Sequence, residues 1–191
     1  MKKFLLSIFL VLILATSSFA FNLPKNVYNA NTLQIYMRQN FFYTRDVIPY
    51  DYFEYVQLPH ILEFTRQGDC DDFATYSFFW LKQLNYDAHR YILIIDNEGI
   101  SVGHAITVFL DDDHTYSIFT NQYILKTNKK VLIDAIKDIY PHWEIIALWL
   151  PIKYGLLSVQ ELYENIFPIE FRSEEIRQKY LQTKYEIKHD S

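Results

Sequence analysis

Gly68-Asp69-Cys70-Asp71-Asp72-Phe73-Ala74 contains the only cysteine of the 191-residue chain. From Phe73 onward the apolar positions fall at helical spacing, with Phe73, Ser77, Trp80, Leu81 and Leu84 along one side. Gly68 closes whatever precedes, Asp69 is a good N-cap, and Asp72 stands three residues later, where a capping-box partner belongs. The spacing predicts a helix over 70–84, with Asn85 as the residue just past its end. Cys70 then sits in the first turn, where the partial positive charge of unpaired backbone N–H groups favours a thiolate. A free cysteine can equally be a small buried residue, so the rest of the chain has to decide between the two.

Far upstream, the first twenty residues read as a signal peptide. Lys2 and Lys3 form a basic start, Phe4 to Leu14 is apolar except for Ser7, and Ser18-Phe19-Ala20 offers small residues for cleavage. That run is short for a membrane span, and no later stretch is long enough; an uncleaved N-terminal anchor is the competing reading. No cysteine follows the run where a lipid would be attached. The expectation is a mature chain of residues 21–191, exported to the periplasm or the extracellular space and free of the membrane once the leader is removed. Its length suits one domain with a real core.

Half of the residues are apolar, with 16 Tyr and 15 Phe, which excludes disorder, and only four glycines are present, which argues against a loop-dominated or repeat fold. The net charge of −5 becomes more negative without Lys2 and Lys3, so nucleic acid and anionic membrane lack the basic footprint that they need. One thiol allows no internal disulfide. In an oxidising compartment such a thiol is either buried or used.

The rest of the chain supplies the frame. Asn29 to Tyr43 reads as a helix starting at Asn31 or Thr32, Thr44 to Pro59 as an irregular connection, and His60 to Arg66 as a short helix. After residue 84 the period changes from helical to alternating. His89–Asp96, Gly103–Leu110 and Thr115–Phe119 read as strands of an antiparallel meander, joined by turns at Asn97-Glu98-Gly99 and Asp111-Asp112-Asp113-His114. Lys129 to Tyr140 reads as a helix and Glu144 to Leu150 as a fourth strand ended by Pro151. Helical patterns over Ser158–Ile166 and Ser173–Tyr185 suggest a C-terminal helical extension. The fold class is α+β: a helical layer, with Cys70 at the N-terminus of its central helix, packed on an antiparallel sheet.

A thiol nucleophile needs a base within hydrogen-bond reach, and the base needs a third group to hold its ring. His104, which follows Gly103 at the start of a strand, is the best placed of the six histidines. His60, His89, His114, His142 and His189 fall in other segments, turns or the tail. Asn121, just past the end of the next strand, can lie beside His104 in an antiparallel pair and fix its tautomer through the amide oxygen.

The GDCDDFA stretch, a strand with Gly-His-Ala (103–105) and then YSIFTNQ (116–122) resemble the transglutaminase-like superfamily of papain-like folds. The likeness is greatest to the bacterial transglutaminase-like cysteine peptidases, and it spans roughly Val56 to Gln122. The resemblance implies Cys70 as nucleophile, His104 as general base and acid, and an Asp or Asn that orients it. Many members carry Asp-Asn where this chain has Thr120-Asn121, so no carboxylate is available at that place and Asn121 is taken as the orienter. Val56-Gln57-Leu58-Pro59 is similar to a Trp-Gln-x-Pro stretch of relatives, which makes Gln57 either an oxyanion donor beside the Cys70 N–H or an ordinary surface residue.

The resemblance also implies that calcium binds near the cysteine, as it does in some members of the peptidase branch, which would make Asp69 and Asp71 ligands. Against that, Asp69 is explained as a cap, and Asp71 and Asp72 suit a first helical turn. Asp111-Asp112-Asp113 reads as a solvated turn. No other cofactor is required. The function expected is an exported thiol-dependent hydrolase acting on a peptide or carboxamide bond through a thioester, on a protein or peptide substrate. The alternatives are a protein transamidase and a binding or structural module that has kept the fold and lost the chemistry. No oligomeric state is read from the sequence.

Overall fold

The computed structural model describes residues 23–46, 53–150 and 155–189; the expected signal peptide lies outside them. Helix α1 (Ala30–Asn40) is capped by Asn29, whose side chain accepts from the Thr32 N–H at 2.9 Å, so it starts before the expected Asn31 or Thr32. The two-residue strands β1 (Phe42–Tyr43) and β3 (Gln67–Gly68) pair in parallel. Between them lie β2 (Phe53–Val56) and the short helix α2 (Pro59–Thr65). Pro59 opens that helix, where its missing N–H costs nothing, and Arg66 closes it in the left-handed conformation at φ 61°.

Helix α3 (Cys70–Gln83) follows at once. The expected start and the N-cap at Asp69 hold; the helix ends at Gln83, one residue before the expected Leu84, and Asn85 adopts the left-handed conformation that ends a helix (φ 64°). Gly68 is required here by contact. A Cβ at that position would lie 2.5 Å from Asp72 Oδ2 and 2.9 Å from Leu62 Cδ1, so any larger residue would displace the Asp72 carboxylate.

A six-stranded antiparallel sheet makes the second layer. Strands β4 (Ala88–Asn97) and β5 (Ile100–Leu110) form a hairpin over two residues, Glu98 and Gly99, with φ of 56° and 86°. That is the twist-compatible turn for a two-residue connection. Strand β6 (Tyr116–Thr120) returns along β5, and β7 (Tyr123–Lys126), absent from the sequence expectation, follows across Asn121-Gln122. Helix α4 (Leu132–Ile139) leads to β8 (Trp143–Trp149), which crosses back to lie beside β4.

The C-terminal segment is more than a helical extension. Besides helices α5 (Val159–Glu164) and α6 (Glu174–His189), it contributes β9 (Gly155–Ser158), paired with β2, and β10 (Ile166–Phe171), the edge strand beside β8. Pro168 breaks the strand pattern in sequence but is tolerated at a sheet edge, where the pairing is irregular between Pro168 and Glu170.

The sheet is covered on both faces. On one, α3 packs through a buried polar seam. The Thr107 hydroxyl donates to the Ala74 carbonyl at 2.7 Å and lies 3.0 Å from Ser77 Oγ, and Arg90 Nη1 donates to Thr75 Oγ1 at 2.9 Å. On the other, α4 covers Tyr91, Leu93, Ile106 and Val108 through Ile136. The far side of α3 buries Phe73, Tyr76, Trp80 and Leu81 against Leu33, Met37 and Phe41. Helix α3 is therefore enclosed on nearly all sides rather than half-exposed. Among the described residues no helix is long and apolar enough to cross a membrane.

Candidate active site

Cys70 occupies the first turn of α3, where backbone N–H groups have no intrahelical acceptor. It is half-buried and borders a cleft of about 110 Å³ together with Asp71, Ile92, Gly103, His104, Ala105 and Trp149. Two of the expected site residues, Cys70 and His104, thus meet at one cavity. Gly103 leaves the cavity open, since nothing lies within 4 Å of a Cβ built there. Trp149 is kept in place by the buried Arg90, whose guanidinium lies 4.6 Å from its ring and 4.6 Å from that of Phe78.

His104 reaches this cleft by an edge effect. Alternation along β5 sends Ala105 and Thr107 towards α3, and His104, Ile106 and Val108 towards α4. The pairing of β5 with β6 ends at Ile106, opposite Thr120. His104 lies two residues beyond that end, where no neighbouring strand closes the edge, and so can border the cleft from the α4 side. Its ring rests 5.9 Å from that of Tyr140, centroid to centroid, just past the end of α4.

The third position differs from expectation. Nε2 of His104 bonds Thr120 Oγ1 at 2.9 Å, and Asn121 does not hold the ring. Asn121 is the first residue of the β6–β7 turn with φ 49°, a conformation that asparagine tolerates well, and its buried Oδ1 has no hydrogen-bond partner. Thr120 ends β6 directly across from Ile106 and so faces the imidazole. With Nε2 engaged, Nδ1 is the ring atom left for a thiol. Burial holds the imidazole below its usual pKa range, so the ring is neutral at neutral pH.

Gln57 also differs from its expected role. Its Nε2 donates to the Gln67 carbonyl at 2.9 Å and to Asp72 Oδ2 at 2.6 Å, and its Oε1 accepts from Thr65 at 2.9 Å. Both amide hydrogens are in use and the side chain does not line the cleft, so Gln57 ties β2 to α3 instead of facing an oxyanion.

The three acids around Cys70 are buried. Asp72 accepts from the Gln57 N–H at 2.7 Å, from Gln57 Nε2 and from the Asp69 N–H at 3.2 Å. Burial nonetheless pushes its carboxyl up to about 7. Asp71 is raised well above the carboxylate range, by burial first and then by Asp69 and Asp72. Both shifts favour the protonated carboxyls and so reduce the cluster's opposition to a thiolate. Oδ1 of Asp69 and both carboxylate oxygens of Asp71 are buried without a hydrogen-bond partner. A ligand atom of each of Asp69, Cys70 and Asp71 lies within 4.8 Å of the other two. The orphaned oxygens are hard donors of the kind a calcium ion takes; the sulfur is not.

Sequence reasoning named Thr120 only as the place of an absent carboxylate, and missed Tyr140 and Trp149. Thr120 was one register position from the residue chosen. Tyr140 and Trp149 carried no signal beyond the apolar pattern of their own elements.

Cys70 at the N-terminus of α3 and His104 on β5 thus border one cleft, on a helix packed against an antiparallel sheet. The model of the transglutaminase-like domain family matches residues 15–141, and the chain belongs to that family. Among solved structures, LapG of Legionella pneumophila is similar at 19% identity and a TM-score of 0.44, over 69% of this chain and 67% of that one. Its calcium-bound form is similar at 20% identity and 0.44, over 71% and 75%. Its EGTA-treated form gives 19% and 0.44, over 71% and 73%. No curated protein sequence matches the chain.

Proposed function

We propose that the protein is an exported thiol hydrolase that cleaves a peptide or carboxamide bond through an acyl-enzyme. The observation that carries this is the meeting of Cys70 and His104 at one cleft, with Nε2 of the ring engaged by Thr120 and Nδ1 left for the thiol. A neutral imidazole acts as general base: Nδ1 takes the thiol proton as Sγ bonds to the carbonyl carbon. First-turn N–H groups of α3 are the donors nearest the developing oxyanion. The C–N bond then breaks, the imidazolium returns its proton to the leaving amine, and a thioester remains. Water attacks the thioester with His104 again as base, releasing the acid and the thiol. Export rests on the signal-peptide pattern of residues 1–20, and N-terminal sequencing of the secreted chain tests it.

Because Cys70 is the sole cysteine, its alkylation reads the site directly. Iodoacetamide is expected to label it about tenfold faster than a free thiol at neutral pH. Thr120→Asp would set a carboxylate against Nε2, stabilise the imidazolium that forms as Nδ1 takes the thiol proton, and speed labelling near pH 8. A specific observation favours the second reading, a module without catalysis: a hydroxyl stands where a carboxylate would stabilise the imidazolium. In that case wild-type Cys70 reacts no faster than a free thiol and Thr120→Asp changes nothing.

The Asp69 and Asp71 carboxylates are the residues that would hold calcium. A bound cation there would offset the negative charge beside Sγ and favour the thiolate. Calcium at about 100 times its dissociation constant should stabilise the fold by about 2.7 kcal/mol, which for a chain of this size raises Tm by about 5–10 °C. Thermal melts in calcium against EGTA read this, with Asp71→Asn removing the shift; identical melts at millimolar calcium would exclude a site.

A further inference from the structure

We infer that the Cys70 cleft continues into a groove that receives one bulky apolar side chain of the substrate, next to the carbonyl that the thiol attacks. This rests on the hydrolase reading above and names the substrate class it acts on.

The groove, of about 270 Å³, lies between the sheet and α6. Its floor is Ile92, Ile94, Ile145 and Ala147, and its roof Ile176 and Tyr180. Ile92 borders both this groove and the cleft at Cys70. The register explains the continuity. Ala105, Ile92 and Ala147 stand side by side on β5, β4 and β8, and Gly103, Ile94 and Ile145 form the next row. Both rows run on one face of the sheet from beside the thiol to beneath α6, and Cys70, Ile92, Ile94, Ile176 and Tyr180 belong to a single apolar cluster.

Small residues keep the passage open. Gly103 and Ala105 lie at the cleft end, and Ala147 lies in the floor where a larger aliphatic would close the space. The volume is below the range of pockets that take a whole drug-sized ligand, and it suits one leucine- to phenylalanine-sized group. The rim is polar, with Ser101 Oγ donating to Glu144 Oε2 at 2.7 Å. An apolar floor beneath a polar rim selects a side chain whose own backbone stays in water.

N-substituted iodoacetamides test this on the intact protein. Sγ displaces iodide and forms the S–C bond, the thiol proton passes to the imidazole or to solvent, and the substituent is carried towards the groove. With rates normalised to a free thiol, N-hexyl and N-benzyl reagents should label Cys70 about tenfold or more faster than iodoacetamide. A polyether arm of the hexyl length should show no such gain. Ala147→Leu, which fills the floor, and Ile176→Phe, which lowers the roof, should each reduce the gain severalfold. Equal rates for apolar and polyether arms on a fast-reacting Cys70 would overturn the groove alone. A Cys70 no faster than a free thiol with plain iodoacetamide would instead overturn the hydrolase reading.

Discussion

Cys70→Ala is expected to lower hydrolysis by about 10⁴-fold or more, leaving only the residual turnover that binding and oxyanion contacts give without a nucleophile. No second thiol can substitute, because the chain has none. The change removes one sulfur from a half-buried position on the rim of an open cleft, so almost no cavity is created and Tm should move by no more than about 2 °C. The loss is therefore catalytic, not structural. Turnover of a peptide amide, measured beside a thermal melt, separates the two, and undiminished turnover in a folded variant would rule out the thioester route. The pH profile adds a sign. Burial lowers the imidazole pKa, so the wild-type base should remain competent on the acid side of the ordinary histidine range. Thr120→Asp should shift the acid limb of the profile upward.

Asp72→Ala is expected to have the largest effect on stability. Its carboxylate is the acceptor for two donors of Gln57 and for the Asp69 N–H, and all three would be left buried and unpaired. At about 1–3 kcal/mol for each orphaned donor, the loss should be on the order of 3–5 kcal/mol, a large share of a domain's stability. Denaturant titration at pH 5 measures it; a loss below about 1 kcal/mol would show that the three donors find other partners.

The same group makes stability depend on pH. Its folded pKa of about 7 lies above the unfolded carboxylate value of about 3.9, so the folded state holds more protons than the unfolded one between these limits. The contribution is fully present below about pH 4 and is lost as pH rises through about 7. Removing Asp72 should flatten that part of the wild-type curve and leave the slope that Asp71 adds in the same direction.

The helix that carries Cys70 was legible because three local signals agree on its start: a glycine with no room for a Cβ, an aspartate cap and an acid three residues on. Strands β4, β5, β6 and β8 were legible for a similar reason, since each is long enough to show its alternation between turns. Strand β7 is four residues with one side exposed, and β10 contains Pro168, so neither offers a clean period. The site was half legible. Cys70 and His104 are announced by residue type and order, but which of Thr120 and Asn121 meets the ring is a matter of register, and the pattern of single residues does not encode register. Gln57 was misplaced because its role lies in long-range hydrogen bonds to Asp72, fifteen residues away, that leave no mark on the local sequence.

Asn121 has a part in all this through its backbone. By bending the chain away at a positive φ, it halts β6 opposite Ile106. Were that strand two residues longer, its main chain would run alongside His104 and shut the imidazole off from the sulfur. On the thiol-hydrolase reading, access to the sulfur and the ring is thus set by how far a hairpin arm extends, and an insertion in this turn is expected to seal the doorway without altering either side chain.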